Sequence, residues 1–193
     1  MIELIDLISS VCLVLLLGAQ IFLRSWFLRI IKFILPILVV IFLTFPSYSS
    51  YMQYVSWATG PLSKLFLPPH TNISYFLGYV GTRFFVPWLV ALLAAIILPN
   101  IANYYNRKYG ERFFETEEIQ IFALCIFLTG YPGFLFYLVL LMFLGTLFSI
   151  GYTIMHKGRL PLYYLWVPIA ICAIIIKLYL LLRFPYFLSL FVI

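Results

Sequence analysis

Long apolar runs separated by short charged segments dominate this chain and limit what it can fold into. Of its 193 residues, 65% are hydrophobic and only 9% are charged, and the mean hydropathy is +1.12. A transmembrane helix needs about 20 consecutive apolar residues, whereas a soluble protein would have to cover such runs with polar surface. The pattern therefore predicts an all-α fold, a polytopic integral membrane helical bundle of about six transmembrane helices.

The predicted spans form a single membrane domain over residues 1–193. They cover about residues 5–23, 28–45, 84–101, 119–131, 134–155 and 160–182. Residues 46–83, between the second and third spans, are rich in proline and glycine, which break helices, and in tyrosine and tryptophan, which favour the headgroup level. We expect an ordered interfacial loop over 46–83, with room for a short re-entrant hairpin at 62–82.

The basic residues indicate which loops share a side of the membrane. The first, third and fifth loops carry most of them, namely Arg24, Arg29, Lys32, Arg107, Lys108, Arg112, Lys157 and Arg159. The positive-inside rule places these loops in the cytoplasm and both termini on the non-cytoplasmic side. The net charge of +6 therefore reflects topology, and we expect the lipid bilayer and no nucleic acid as a partner. The expected location is a bacterial or organellar inner membrane, since the Phe-, Ile- and Tyr-rich composition suits an organellar or AT-rich genome.

The only concentrated acidic stretch precedes the fourth span. Glu118 is the candidate catalytic residue, with Glu115 and Glu117 nearby, because a carboxylate at the cytoplasmic face can act as an acid or base or hold a cation. The structural alternative is a capped helix start, with Thr116 as the N-cap and surface ion pairs Arg107–Glu111 and Arg112–Glu115. Carboxylates in a first helical turn are also favoured by the helix dipole.

The segments after Tyr105 follow the order of a known set of motifs. The acidic stretch opens a helix at Glu115–Gln120, and the next apolar run ends in the turn Gly130–Gly133. A span with glycines at 145 and 151 follows, and a basic loop then leads to the segment Leu160–Tyr163. Residues from about 105 to 175 therefore resemble the C-terminal half of the type IV prepilin peptidases, the bilobed intramembrane aspartic peptidases.

The resemblance implies a helical membrane fold and places Glu118 at a catalytic aspartate position on the cytoplasmic side. Glu115 and Glu117 stand at the motif glycines, and Gln120 stands at the motif lysine. Aspartic catalysis needs two carboxyl groups that share one proton, but the segment nearest to the second motif, Leu67–Asn72, contains no acid. The resemblance thus implies descent from that family with the catalytic aspartates absent.

Isolated polar and small residues in the spans have structural interpretations as well as functional ones. Gly145 and Ser149 have the spacing that allows close helix packing. Lys177 is expected to snorkel to the non-cytoplasmic interface, the alternative being a buried ion pair with Glu3 or Asp6. The cysteines lie in separate apolar runs and the two histidines fall on opposite sides, so we expect no metal and no cofactor.

Three functions are compatible with these features. The first is a non-catalytic structural or assembly subunit of a larger membrane complex, favoured because 20% of the residues are aromatic and few polar residues line any span. The second is a divergent, catalytically impaired prepilin-peptidase-like protein of pilus biogenesis or secretion. The third is a small membrane transporter subunit, which would show polar groups around a cavity. The first function implies other membrane subunits as partners.

Overall fold

The computed structural model describes residues 2–110, 114–156 and 162–183, and these residues form seven α-helices and two short 3₁₀-helices, Ser63–Phe66 and Leu162–Tyr164. The helices are α1 (Ile2–Phe22), α2 (Arg24–Thr59), α3 (Ile73–Val80), α4 (Val86–Lys108), α5 (Thr116–Thr129), α6 (Gly133–His156) and α7 (Trp166–Arg183). A π-helical turn, Gly81–Phe85, joins α3 to α4, so residues 73–108 run as one continuous helix. The described chain is therefore all-helical, with six helical rods.

Three of these rods are long and apolar enough to cross a membrane. They are Arg24–Thr59, Ile73–Lys108 and Gly133–Tyr152, and α1 and α7 contribute shorter apolar stretches, Asp6–Phe22 and Trp166–Leu180. The expected start of the sixth span at residue 160 lies outside the described residues, in which α7 begins at Trp166.

Helix α5 lies at the centre of the bundle. Every residue from Ile121 to Thr129 is buried, and the helix packs against α1, α2, α4, α6 and α7. A helix that is apolar on all faces is stable when other helices surround it. The 14 residues of α5 are too few to cross a bilayer alone, and the surrounding helices bury them instead. Gly130 ends the helix with φ of 62°, a backbone conformation that a side chain disfavours.

Aromatic packing joins the long helices to this centre. Phe42 of α2, Trp88 of α4 and Phe127 of α5 form a mutual cluster with ring centroids 5.0 to 5.8 Å apart. Phe42 is 1% exposed and Phe127 is 2% exposed, so the cluster belongs to the core. These ring contacts set the position of α2 and α4 along the axis of α5.

Residues 46–83 differ from the loop expected from the sequence, because α2 continues through Pro46 to Thr59. Proline removes one helical hydrogen bond, and hydroxyl groups on neighbouring turns bond helix carbonyls around it: Ser47 to Leu43, Ser49 to Phe45 and Ser50 to Pro46. The chain then turns at 60–72 and returns as α3. The result is a helical hairpin, and we refer to residues 46–85 as the hairpin arm.

Packed aromatic side chains hold the tip of the hairpin arm together. The Trp57 ring lies 5.0 to 6.2 Å from the rings of Phe66, Tyr75, Phe76 and Tyr79. Phe76 is buried there together with Leu67 and Val80. Asn72 caps α3, its side-chain oxygen accepting a hydrogen bond of 3.0 Å from the Ser74 N–H. The arm therefore has a small hydrophobic core of its own, separate from that of the bundle.

Candidate functional site

A buried ion pair joins the first and last helices. Lys177 Nζ of α7 donates a hydrogen bond of 2.7 Å to Asp6 Oδ1 of α1, and both side chains are 6% exposed. The expectation that Lys177 snorkels to an interface is corrected by this contact. Its stem is held against Gly133, where an added Cβ would lie 3.1 Å from Lys177 Cδ, so the ammonium is directed inward to the carboxylate.

The ion pair leaves polar atoms beside it without partners. Asp6 Oδ2 and Ser9 Oγ are buried and form no hydrogen bond. Asp6 and Ser9 lie one turn apart on the same face of α1. A buried pair with unused hydrogen-bonding capacity is weak evidence for stability in itself, but losing one partner leaves an isolated buried charge.

Glu118 caps the central helix instead of lying free at a surface. Glu118 Oε2 accepts a hydrogen bond of 3.1 Å from the Glu115 N–H, and the Glu115 side chain accepts one from the Glu118 N–H. This reciprocal arrangement is a capping box. Its N-cap is Glu115, not the expected Thr116, since the Glu115 carboxylate reaches the third helical residue. The expected partners Glu111 and Arg112 lie outside the described residues.

The carboxyl group of Glu118 is in a poorly hydrated environment. Glu118 is only 5% exposed, and burial raises the pKa of its carboxyl above the ordinary value, with a further contribution from the nearby Glu115 charge. The Glu115 N–H opposes this rise, as do Trp166 and the Tyr163 backbone to a smaller degree. The group is thus easier to protonate than an exposed glutamate.

A second set of buried polar groups surrounds the start of α7 next to Glu118. Gln20 Nε2 donates to the Tyr163 carbonyl, and the Arg24 guanidinium lies 5.3 Å from the Tyr163 ring centroid. The Tyr163 hydroxyl and Gln20 Oε1 are buried without hydrogen-bond partners. The buried Trp166 indole N–H forms no hydrogen bond of ordinary geometry, but it lies close enough to Glu118 to stabilise the carboxylate. The Asn106 side chain of α4 binds the backbone of Phe114. It accepts a hydrogen bond of 3.0 Å from the Phe114 N–H and donates one to the Phe114 carbonyl. Sequence patterns did not identify this set, because its members come from α1, α2, α4, α7 and the segments before α5 and α7.

The buried carboxyl groups of Asp6 and Glu118 lie at opposite ends of the bundle. Glu118 is beside Trp166 at the start of α7, whereas Asp6 pairs with Lys177 eleven residues further along. At 1.5 Å per residue, that separation is about 16 Å. A proton shared between Asp6 and Glu118, as an aspartic dyad requires, is incompatible with this geometry.

The remaining candidate residues concern helix packing and metal binding. Ser149 is exposed, and a Cβ added at Gly145 would meet no atom within 4 Å, so the close helix packing expected of this pair stays a prediction. Within residues 2–110, 114–156 and 162–183, no three His, Cys, Asp or Glu side chains come together to hold a metal.

The raised pKa of Glu118 predicts a specific pH dependence of stability. A folded-state pKa above the unfolded value means that the folded state binds more protons, so stability falls as pH rises from about 4.3, the ordinary glutamate pKa, through the raised value. Glu118→Gln should keep the capping box, since glutamine also serves at this position. It should remove the part of the pH dependence of stability that comes from the Glu118 carboxyl. Thermal unfolding of the purified protein between about pH 4 and 8 measures it.

The control for this prediction is Glu117→Gln, which removes a half-buried charge from the same helical turn. The Glu117 variant should retain the pH slope of the parent chain. Equal slopes in all three proteins would show that the Glu118 carboxyl is not perturbed in the fold.

Comparison of the chain with protein-family models, with curated proteins and with solved structures finds no match.

Proposed function

We propose that this chain is an integral membrane protein and a non-catalytic structural or assembly subunit of a larger membrane complex. In this proposal, six helical rods are embedded in the bilayer and the hairpin arm extends beyond it to contact another protein. The observation that carries the proposal is the hairpin arm, an ordered and largely apolar projection.

The length of the two arm helices supports a projection. Residues 24–59 and 73–108 each form 36 helical residues, about 54 Å at 1.5 Å per residue, against about 30 Å for the hydrocarbon core of a bilayer. The extra helical length lies on the hairpin-arm side of the bundle. Phe42 and Trp88 pack beside the last turn of α5, and the residues of the hairpin arm extend beyond that point. The positive-inside rule puts this end on the non-cytoplasmic side.

The surface of the hairpin arm has the composition of a protein contact. Its exposed large side chains include Tyr48, Tyr51, Met52, Tyr54, Leu62, Leu65, Phe66, Ile73, Tyr75 and Leu77. Aromatic residues and methionine are enriched at protein interfaces, and a solvated projection would not need so many. Residues 33–106 contain no acid, and Lys64 and Arg83 are the only Lys or Arg residues there. The expected partner surface is therefore apolar with an acidic rim.

The buried polar groups support a structural role over the alternatives. Glu118 and Glu115 complete a helix cap, and Asp6 and Lys177 neutralise each other inside the bundle. A prepilin-peptidase-like enzyme would need a second carboxyl group that shares a proton with Glu118, whereas the neighbouring Glu115 carboxyl is used in the cap of the same helix. A transporter would need a polar cavity. A groove between α1 and α7 on the described bundle is lined by apolar side chains except for Ser10.

Purification from native membranes tests the proposal. The tagged chain would be extracted in a mild detergent and analysed by native gel and mass spectrometry. We expect another protein at a fixed stoichiometry that survives washing. A lone, monodisperse chain that cleaves a prepilin, with cleavage lost in Glu118→Gln, would replace the subunit proposal with the enzyme. A lone chain that moves a solute in proteoliposomes would replace it with the transporter.

A further inference from the structure

An open groove of about 570 Å³ runs between α1 and α7 on the outside of the bundle. Its walls are Leu7, Ser10, Val11, Val14 and Leu15 of α1 and Leu178 and Leu182 of α7. The one polar side chain, Ser10, donates its hydroxyl hydrogen to the Asp6 carbonyl of its own helix at 2.8 Å. The groove therefore offers an apolar guest close packing and no unpaired polar group from its walls.

The length and position of the groove correspond to one leaflet of a bilayer. From Leu7 to Leu15 is eight residues, about 12 Å along the helix, against about 15 Å for half of the hydrocarbon core. The groove lies in the half of the bundle that contains the Asp6–Lys177 pair, away from Gln20 near the other end of α1 and from Arg24 at the start of α2. An apolar guest would thus lie parallel to the helices within a single leaflet.

A positively charged residue follows the groove at the C-terminal end of α7. Arg183 follows the groove residue Leu182, ends α7 and is exposed. The Lys177 charge is balanced by Asp6 and does not contribute. An anionic headgroup is the electrostatic complement of an exposed arginine at the membrane surface.

We propose that this groove binds one acyl chain of an anionic membrane phospholipid, with the lipid phosphate at Arg183. The site rests on the proposed membrane location but is independent of any protein partner on the hairpin arm. The bound lipid would then cover the outer side of the α1–α7 contact, which also contains the buried Asp6–Lys177 pair.

Native mass spectrometry of the purified chain tests the site. The protein would be equilibrated in mixed micelles with phosphatidylglycerol or phosphatidylcholine of the same acyl chains. We expect one retained lipid, with a preference for phosphatidylglycerol of about fivefold, the effect of one basic residue near an anionic lipid. Arg183→Gln should abolish the preference but keep retention.

A groove-filling variant separates the acyl-chain site from general lipid adhesion. Val11→Phe combined with Val14→Phe should remove the retained lipid, whereas Val139→Phe on the exposed face of α6 should not. Unchanged retention in the groove variant, equal retention of both lipids by the parent chain, or no retained lipid would overturn the proposal. Loss of a copurifying protein in the groove variant, with no lipid in the parent chain, would assign the groove to that protein instead. Because this assay uses the isolated chain, a negative result leaves the subunit proposal to its own test.

Discussion

Replacing Lys177 by methionine is expected to lower the free energy of unfolding by about 3–5 kcal/mol, the usual cost of leaving one member of a buried ion pair alone. The Asp6 carboxylate would remain at 6% exposure without the ammonium that now lies 2.7 Å away. Methionine keeps much of the length and apolar volume of the lysine stem, so packing against Gly133 should largely persist. Unfolding of the purified protein in detergent, followed by tryptophan fluorescence, measures the change.

Two further variants isolate the charge effect. Lys64→Met removes an exposed lysine on the hairpin arm and should change stability by less than about 0.5 kcal/mol. Asp6→Leu together with Lys177→Met should recover most of the loss, because apolar residues of similar volume often replace a buried pair at no net cost. A single Lys177 variant as stable as the Lys64 variant would contradict the buried pair.

Removing exposed side chains from the hairpin arm is expected to abolish copurification of the partner. Tyr51→Ala, Leu62→Ala and Leu77→Ala combined truncate three side chains that are 59% to 76% exposed and take no part in the ring contacts of the tip. One interface hot spot contributes about 2 kcal/mol or more, and 1.4 kcal/mol is tenfold in affinity. We therefore expect the bound partner to fall by at least about tenfold in a quantitative pull-down.

A matched control for this experiment lies on α6. Val139→Ala, Met142→Ala and Phe143→Ala combined remove side chains that are 65% to 71% exposed from a face that would contact lipid. Partner recovery should be unchanged in this control, and resistance to limited proteolysis should be retained in both variants. Equal recovery from the arm variant and the parent chain would show that the arm is not the contact surface.

The sequence was sufficient to predict the helical class and the number of helical rods, because apolar runs bounded by charges specify them directly. It was not sufficient for residues 46–59. Pro46 and the following serines indicate a loop locally, but serine hydroxyls bond neighbouring carbonyls and aromatic contacts with α3 favour a continued helix. Such contacts join residues far apart in the chain and leave no periodic signal.

The candidate site shows the same limit. The sequence identified Glu118 both as a catalytic candidate and as part of a helix cap, and the capping box is a local pattern that spans four residues, Glu115 to Glu118. The Asp6–Lys177 pair spans 171 positions, and the Gln20–Tyr163 hydrogen bond spans 143. Sequence analysis named the first pair only as an alternative, since hydropathy locates a charge in a span without showing which helix it faces. The second contact required the packing of α1 against the segment before α7.

The side of the membrane on which the hairpin arm lies can be tested at its own tip. Asn72-Ile73-Ser74 is an exposed glycosylation acceptor sequence at the start of α3. Translation with endoplasmic reticulum microsomes should give a membrane-inserted chain with one glycan at Asn72, and none in Asn72→Gln. Adding Tyr105→Thr to Asn72→Gln creates an acceptor at Asn103 on the opposite side, which should stay unmodified. A glycan at Asn103 with none at Asn72, or a chain that alkaline washing extracts from the microsomes, would contradict a membrane-embedded bundle with a projecting non-cytoplasmic arm.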